Sequence, residues 1–140
     1  MKPKVIIFNG LSLDGRMDSG TAGIDMGLYY SIAARWNAEA MLSGSNTMLA
    51  APMEPDEESI PELPAGPKEL HPLAAPYMVV ADSRGCFHHW RAMQIQPFWR
   101  ETVALCSQAT PKEYLQELES ARVPHIVAGE EKIDFRRALE

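Results

Sequence analysis

This sequence predicts an α/β fold built on a largely parallel sheet, and three observations predict it. Short β-branched or apolar runs recur along the chain, at Val5-Ile6-Ile7-Phe8, Ala40-Met41-Leu42, Tyr77 to Ala81, Thr102 to Cys106 and His125 to Ala128. Each has the length and composition of a strand. Stretches with apolar residues three and four apart lie between these runs, and strands that alternate with helices pair in parallel. The third observation is size. The 140 residues, 46% hydrophobic and 23% charged, suit one ordinary domain spanning residues 1–140, with roughly 70% of its unfolded surface available for burial.

The opening run, bounded by Pro3 and Gly10, reads as a buried strand. Leu28 to Met41 sets Leu28, Ile32, Ala33, Trp36, Ala40 and Met41 at helical spacing, giving one apolar face. Ala40-Met41-Leu42 is a short buried strand, Ser43-Gly44-Ser45-Asn46-Thr47 a tight turn, and Met48-Leu49-Ala50 opens a helix. Ala51 to Pro76 changes character. Pro52, Pro55, Pro61, Pro64, Pro67, Pro72 and Pro76 remove backbone donors, and Glu54 and Asp56-Glu57-Glu58 add charge, so a long surface loop is expected. Tyr77 to Ala81 is a strand stopped by Asp82-Ser83-Arg84-Gly85, and Thr102 to Cys106 is the next. Thr110-Pro111-Lys112-Glu113 signals a helix start, with Thr110 as cap and Pro111 in the first helical position. Tyr114, Leu115, Leu118 and Ala121 supply that helix's apolar face; a strand at His125 to Ala128 and a last helix from Asp134 to Leu139 follow.

Composition excludes a disordered chain, a collagen and a membrane span. Thirteen basic residues against nineteen acidic ones give a net charge of −6, without the basic stripe a nucleic-acid binder needs. Cys86 and Cys106 have neither metal-finger nor CxxC spacing and read as packed thiols. The Val5–Phe8 run is too short for the apolar region of a signal peptide, so the expected setting is the cytoplasm.

Two strand ends are chemically suggestive. At Ser43-Gly44-Ser45-Asn46-Thr47 a strand hands over to a helix, where free backbone N–H groups favour phosphate. A plain helix cap accounts for the same residues. At Asp82-Ser83-Arg84-Gly85 an arginine sits in a second such junction, ready to pair with phosphate or to remain solvated. In open α/β sheets ligands gather at the carboxyl ends of strands, so two such junctions say more than one. Ser12-Leu13-Asp14-Gly15-Arg16 follows the opening run and is explained by a turn alone. Arg35 is a helix-surface arginine with an anion ligand as its alternative. His88-His89 would point to opposite faces of an extended segment, which argues against a metal site. Neither a Gly-x-Ser-x-Gly elbow nor an HExxH motif is present to carry hydrolase chemistry.

The order of these pieces, Ser12-Leu13-Asp14-Gly15, a helix with Arg35, Gly44-Ser45-Asn46-Thr47-Met48-Leu49-Ala50, then Val79-Val80-Ala81-Asp82-Ser83-Arg84-Gly85, resembles the pyrimidine reductase of riboflavin biosynthesis. This is the reductase domain of the bifunctional deaminase-reductase, and the resemblance runs along nearly the whole chain. It implies a dihydrofolate-reductase-like three-layer fold: a largely parallel central sheet flanked by helices. It implies NADPH-dependent reduction of a phosphoribosylamino-pyrimidine to its ribitylamino form, with hydride passing to the sugar carbon that bears the nitrogen. By the same resemblance Leu11 lines the nicotinamide side. Gly44, Ser45 and Thr47 hold the cofactor phosphates and Ser83 meets the adenosine end, while Arg84, offered by its junction as a phosphate partner, is expected among the cofactor-binding residues. Arg35 reaches the substrate phosphate, and Asp14 shapes the active-site loop. A homodimer is implied as well.

Two positions depart from the family pattern. Ala51-Pro52 stands where an Asp-Asp-Pro is common, and Phe8 stands where a Lys or Asn is usual. The family also has, beyond the point that aligns with Glu140, a further strand between the opening strand and Ala40–Leu42, then a Glu/Asp-Gly-Gly turn and a hairpin tail. The expectation is an incomplete domain with little or no reductase activity alone, its C-terminal strands supplied by a complementing chain or its sheet rearranged. A non-catalytic nucleotide-binding or assembly module on the same scaffold is the alternative of a different class. A dihydrofolate reductase is a third reading, set back by the lack of a folate-binding acid in the first helix.

Overall fold

The β-branched runs beyond residue 39 become strands, and they pair in the simplest parallel order. The structure, a computed structural model, describes residues 3–15, 25–51, 59–60 and 75–139. These divide into two units, Met1–Ala38 and Glu39–Glu140. In the second unit β1 (Ala40–Gly44), β2 (Tyr77–Ala81), β3 (Glu101–Cys106) and β4 (His125–Val127) form one sheet in the order β1-β2-β3-β4. All three pairings are parallel, with Leu42 beside Val79 and Val79 beside Val103. The α/β class with a parallel sheet is therefore present.

Every crossover in this order steps the same way. Right-handed connections then deliver successive helices to one face of the sheet. The core shows that arrangement. Met78 and Val80 of β2 and Ala104 and Cys106 of β3 pack against Trp90 and Met93 of α3 (Trp90–Gln94) and Tyr114 and Leu118 of α4 (Lys112–Ser120). Phe87 and Trp90 meet edge to face at 4.9 Å. Each fully buried large side chain here contributes about 1.5–3 kcal/mol. Met41 of β1 and Met48 of α2 (Ser45–Ala50) pack on the flank of the same cluster. On the opposite face Leu42, Val79 and Val103 are only half-buried or exposed, while Leu105 at the end of β3 is buried.

Several expectations are corrected. Val5–Phe8 is not a strand, and Ile7 is 85% exposed. A β-rich run becomes a strand only when a neighbour accepts its ladder bonds, and no strand pairs with it among the described residues. Ala40–Leu42 is not a buried strand either, since β1 is an edge strand with Ala40, Leu42 and Gly44 exposed. The helix expected over Leu28 to Met41 ends early. α1 spans Met26–Ala33, capped by Asp25 Oδ1 on the Leu28 N–H at 3.0 Å. It tightens to a 3-10 turn at Ala34–Trp36 and stops where Asn37 turns left-handed at φ 45°, a conformation asparagine tolerates. Thr110 does not cap α4. Pro111 takes the cap position, and the Thr110 hydroxyl donates to the Ser83 carbonyl and accepts from the Ser107 N–H, both at 3.0 Å. α3 was not anticipated, because five residues with four buried leave no amphipathic period to read. α5 (Phe135–Ala138) is capped by Asp134. Most of the proline-rich stretch expected as a loop lies outside the described residues. Cys86 and Cys106 are free, and Cys106 is fully buried. Among the described residues no helix is long and apolar enough to cross a membrane.

Burial pushes the Cys106 thiol from its ordinary 9.0 up to about 11, and burial beside Asp82 raises the Tyr114 hydroxyl as well. Both folded-state values lie above the unfolded ones, so the Cys106 contribution is complete below about pH 9 and fades as pH rises through 11, while that of Tyr114 begins to fade only above its ordinary 10.0. For Cys106 the loss is on the order of 2–3 kcal/mol. The urea midpoint should fall between pH 8 and pH 11, and Cys106→Ala should flatten part of that fall. Equal slopes in the wild type and Cys106→Ala would refute the assignment.

Candidate functional site at the carboxyl edge of the sheet

Strands that run parallel place all their carboxyl ends on one edge, and the loops leaving that edge are joined here by side chains. Arg84, in the turn after β2, donates from Nη2 to Asn46 Oδ1 in the first turn of α2 at 2.5 Å. The two strand-to-helix junctions singled out in the sequence are thus brought together, although 38 residues separate the two partners. Gly44, Ser45 and Thr47 lie on one side of this link, and Ser83 and Arg84 lie on the other. Ser45 is buried, while Gly44, Thr47 and Arg84 are exposed and Ser83 is half-buried.

α2 starts at Gly44, whose extended backbone provides no side-chain cap. The first-turn N–H groups of a helix lack intrahelical partners, and here no cap side chain meets them. Gly44 would find nothing within 4 Å of a Cβ, so its approach side is open. At the second junction the situation is reversed. Asp82, 1% exposed, accepts on Oδ2 from the Cys86 and Phe87 N–H groups at 2.7 and 2.8 Å. The chain supplies its own anion to these two amides. What the second junction offers a ligand is the Arg84 guanidinium and the Ser83 hydroxyl.

The remaining sequence-assigned residues belong to the first unit and are all exposed or nearly so. Leu11 is exposed, and Asp14 accepts a hydrogen bond from the Ser12 hydroxyl in a turn closed by the Gly15 N–H on the Ser12 carbonyl at 2.9 Å. Gly15 takes φ +80°, as the Asp-Gly turn requires. Arg35 is exposed on the 3-10 turn. Behind it Phe8, Tyr29 and Trp36 form an aromatic cluster with ring centroids 4.6 and 5.0 Å apart. Arg16 lies outside the described residues.

The paired histidines diverge: His88 Nδ1 sits 2.8 Å from both Glu117 carboxylate oxygens, and the His89 ring meets Phe87 edge-on. No group of three or more metal-ligating side chains occurs among the described residues. Asn46 and Thr110 were missed as site residues. Asn46 stood inside the motif, but its role needs Arg84 beside it. Thr110 reads as a helix cap in one dimension and becomes a link to Ser83 in three. No protein-family model matches the chain, and no curated protein is similar to it.

The Arg84 turn is tightly constrained. Gly85 adopts φ +66°, and a Cβ there would meet the Tyr114 ring at 2.8 Å. Gly85→Ala should therefore destabilise the fold by about 2 kcal/mol or more, through backbone strain and overpacking together. A chemical denaturation curve superimposable on the wild type would show that this close approach does not exist.

Proposed function

We propose that this chain is the NADPH-binding portion of a reductase that acts on a phosphoribosylamino-pyrimidine, of the riboflavin-biosynthetic type. The observation that carries the reading is the Arg84–Asn46 hydrogen bond, which sets a cation beside uncapped helix amides at one strand edge. Backbone N–H groups and an arginine are complementary to the phosphates of a dinucleotide. On this reading Gly44, Ser45 and Thr47 receive the phosphates, Arg84 adds charge and Ser83 adds a hydroxyl toward the adenosine end. The resemblance assigns Leu11 to the nicotinamide, Arg35 to the substrate phosphate and Asp14 to the substrate loop, and each is accessible in its own unit. Bound NADPH supplies the hydride that reduces the sugar carbon bearing the nitrogen. The residues of the chain bind and align the reactants.

The same placement makes a demand on sheet topology. The order β1-β2-β3-β4 contains no reversal, and ligand crevices in open α/β sheets form where strand order reverses. The free edge is β1, and the resemblance puts the family's additional strand beyond it. Such a strand would create the reversal beside Gly44–Thr47. Ala51, which ends α2 in an extended conformation, carries no acid for a cofactor contact; this favours the second reading, a nucleotide-binding module without catalysis. Absorbance at 340 nm in the presence of NADPH and a ribosylaminopyrimidine separates the two, with a chain extended by the family's C-terminal third assayed alongside.

NADPH should protect the amides of residues 43–47 and 82–85 from hydrogen exchange. Arg84→Ala and Thr47→Ala should each weaken binding about tenfold, the scale of one charge-assisted or well-placed hydrogen bond. Unchanged exchange at saturating NADPH would overturn the cofactor assignment.

A further inference from the structure

Arg84 is an exposed side chain, and an exposed arginine ordinarily samples many rotamers at a considerable entropic cost to any partner that orders it. The turn that carries it is held from below by four contacts. Asp82 Oδ2 accepts the Cys86 and Phe87 N–H groups. The Tyr114 hydroxyl lies 3.0 Å from Asp82 Oδ2 and 2.9 Å from the Phe87 carbonyl, so its one proton is shared between the two ends of the loop. Gly85 rests directly on the Tyr114 ring. The Thr110 hydroxyl donates to the Ser83 carbonyl. Tyr114 and Asp82 are both buried, and none of their side-chain hydrogen bonds goes to Asn46.

This degree of restraint exceeds what a solvated turn needs. A solvated β-turn ordinarily closes with one backbone bond or none, whereas the connection here, Asp82 to His89, is also held by side chains from outside it. Here a tyrosine from α4, three elements further along, fixes the turn, and Arg84 is the exposed, charged side chain of its Asp82–Phe87 part. We infer that Tyr114 and Asp82, with Thr110, are positioning residues for Arg84: they fix the Ser83–Phe87 backbone so that the guanidinium meets Asn46 and is preorganised for an anion. The inference deepens the proposed reading, because the anion it prepares for is the cofactor phosphate. The positioning itself can be measured without any ligand.

The test is nitrogen-15 relaxation of the Arg84 Nε–H group in the full chain, compared among wild type, Asn46→Ala, Tyr114→Phe and Asp82→Asn. Asn46→Ala gives the value for a freed guanidinium. Tyr114→Phe keeps the ring under Gly85 and removes only the hydroxyl, and should lower the Arg84 order parameter most of the way to the Asn46→Ala value. Asp82→Asn retains an oxygen for the two amides and the Tyr114 hydroxyl while losing the charge, and should lower the Arg84 order parameter less than Tyr114→Phe does, a ranking that a generally loosened fold would not show. Titration with NADPH then links the two readings. Tyr114→Phe should weaken binding about five- to tenfold, and should add nothing further once Arg84 is already alanine. If Tyr114→Phe leaves Arg84 as ordered as in the wild type, the positioning role is wrong, whatever NADPH does. If Arg84 is freed as expected but wild type binds no NADPH, positioning stands and the cofactor reading falls. Should Tyr114→Phe fail to fold, Thr110→Val replaces it, cutting the bond to Ser83 from the other side; an unmoved Arg84 in that variant also overturns the inference.

Discussion

A carboxylate with almost no contact with solvent stands at the end of β2, and the carboxyl edge of the sheet is arranged around it. Taking a charge out of water costs several kcal/mol unless hydrogen bonds replace the lost hydration. Asp82 Oδ2 receives two backbone N–H groups and faces the Tyr114 hydroxyl, while its own N–H is held by the Leu105 carbonyl at 2.9 Å. Charge-assisted bonds of this kind are roughly twice as strong as neutral ones. Without the carboxylate the Cys86 and Phe87 N–H groups would lose their acceptor, the second of them in a buried position, a loss larger than the net value of the bonds themselves. This explains why α4 sits where it does. Its Tyr114 has to reach Asp82, and the ring can lie over the turn only because residue 85 has no side chain.

The sheet's uniform winding follows from the same packing. α3 and α4 both cover the face that carries Val80, Ala104 and Cys106, so the core is concentrated between one sheet face and two short helices. Asp82 continues that face one residue beyond β2, next to the end of β3. The interior is therefore apolar along most of the strands, Thr102 of β3 excepted, and polar at their carboxyl ends, where Asp82, Ser107 and Thr110 are buried. Ser107 bonds to the Glu131 carbonyl at 3.4 Å, and the Gln108 and Ala109 N–H groups reach the Gly129 and Glu130 carbonyls at 3.0 and 2.9 Å. Loops that are stitched to each other in this way can hold exposed side chains in defined places.

Much of this order is legible in the sequence, and the failures have a common cause. β2, β3 and β4 are readable because each is a short apolar run closed by turn residues, and the register between them leaves little freedom once one face is buried. Val5–Phe8 has the same local character and is not a strand, since pairing is decided by a neighbour that composition does not reveal. Asp82 is visible as a turn residue, yet its carboxylate acts on amides four and five residues later. Tyr114 counts as one apolar position on a helical face, although its hydroxyl is what ties that face to the loop. Arg84 and Asn46 were each in a recognisable motif; that they touch depends on β1 and β2 being neighbours. Spacing along the chain gives the parts, and strand order gives their meetings.

Strand order also assigns different work to the two junctions. Equivalent in sequence, they differ in what remains free for a ligand. At the end of β2 two of the loop amides are saturated by Asp82, and a phosphate placed against them would meet a negative charge instead of donors. At the end of β1 the helix opens on a glycine with no capping side chain, so its amides keep their capacity to accept an anion. On the proposed reading the contact with phosphate oxygens therefore belongs to Gly44–Thr47, and the β2 turn contributes one long-reaching cation. That division also sets the sign of the electrostatics. With a net charge of −6 the chain as a whole repels anions. Local affinity for a cofactor phosphate must then come from short-range donors held in place in advance, which is the condition that a rigid turn beneath Arg84 meets.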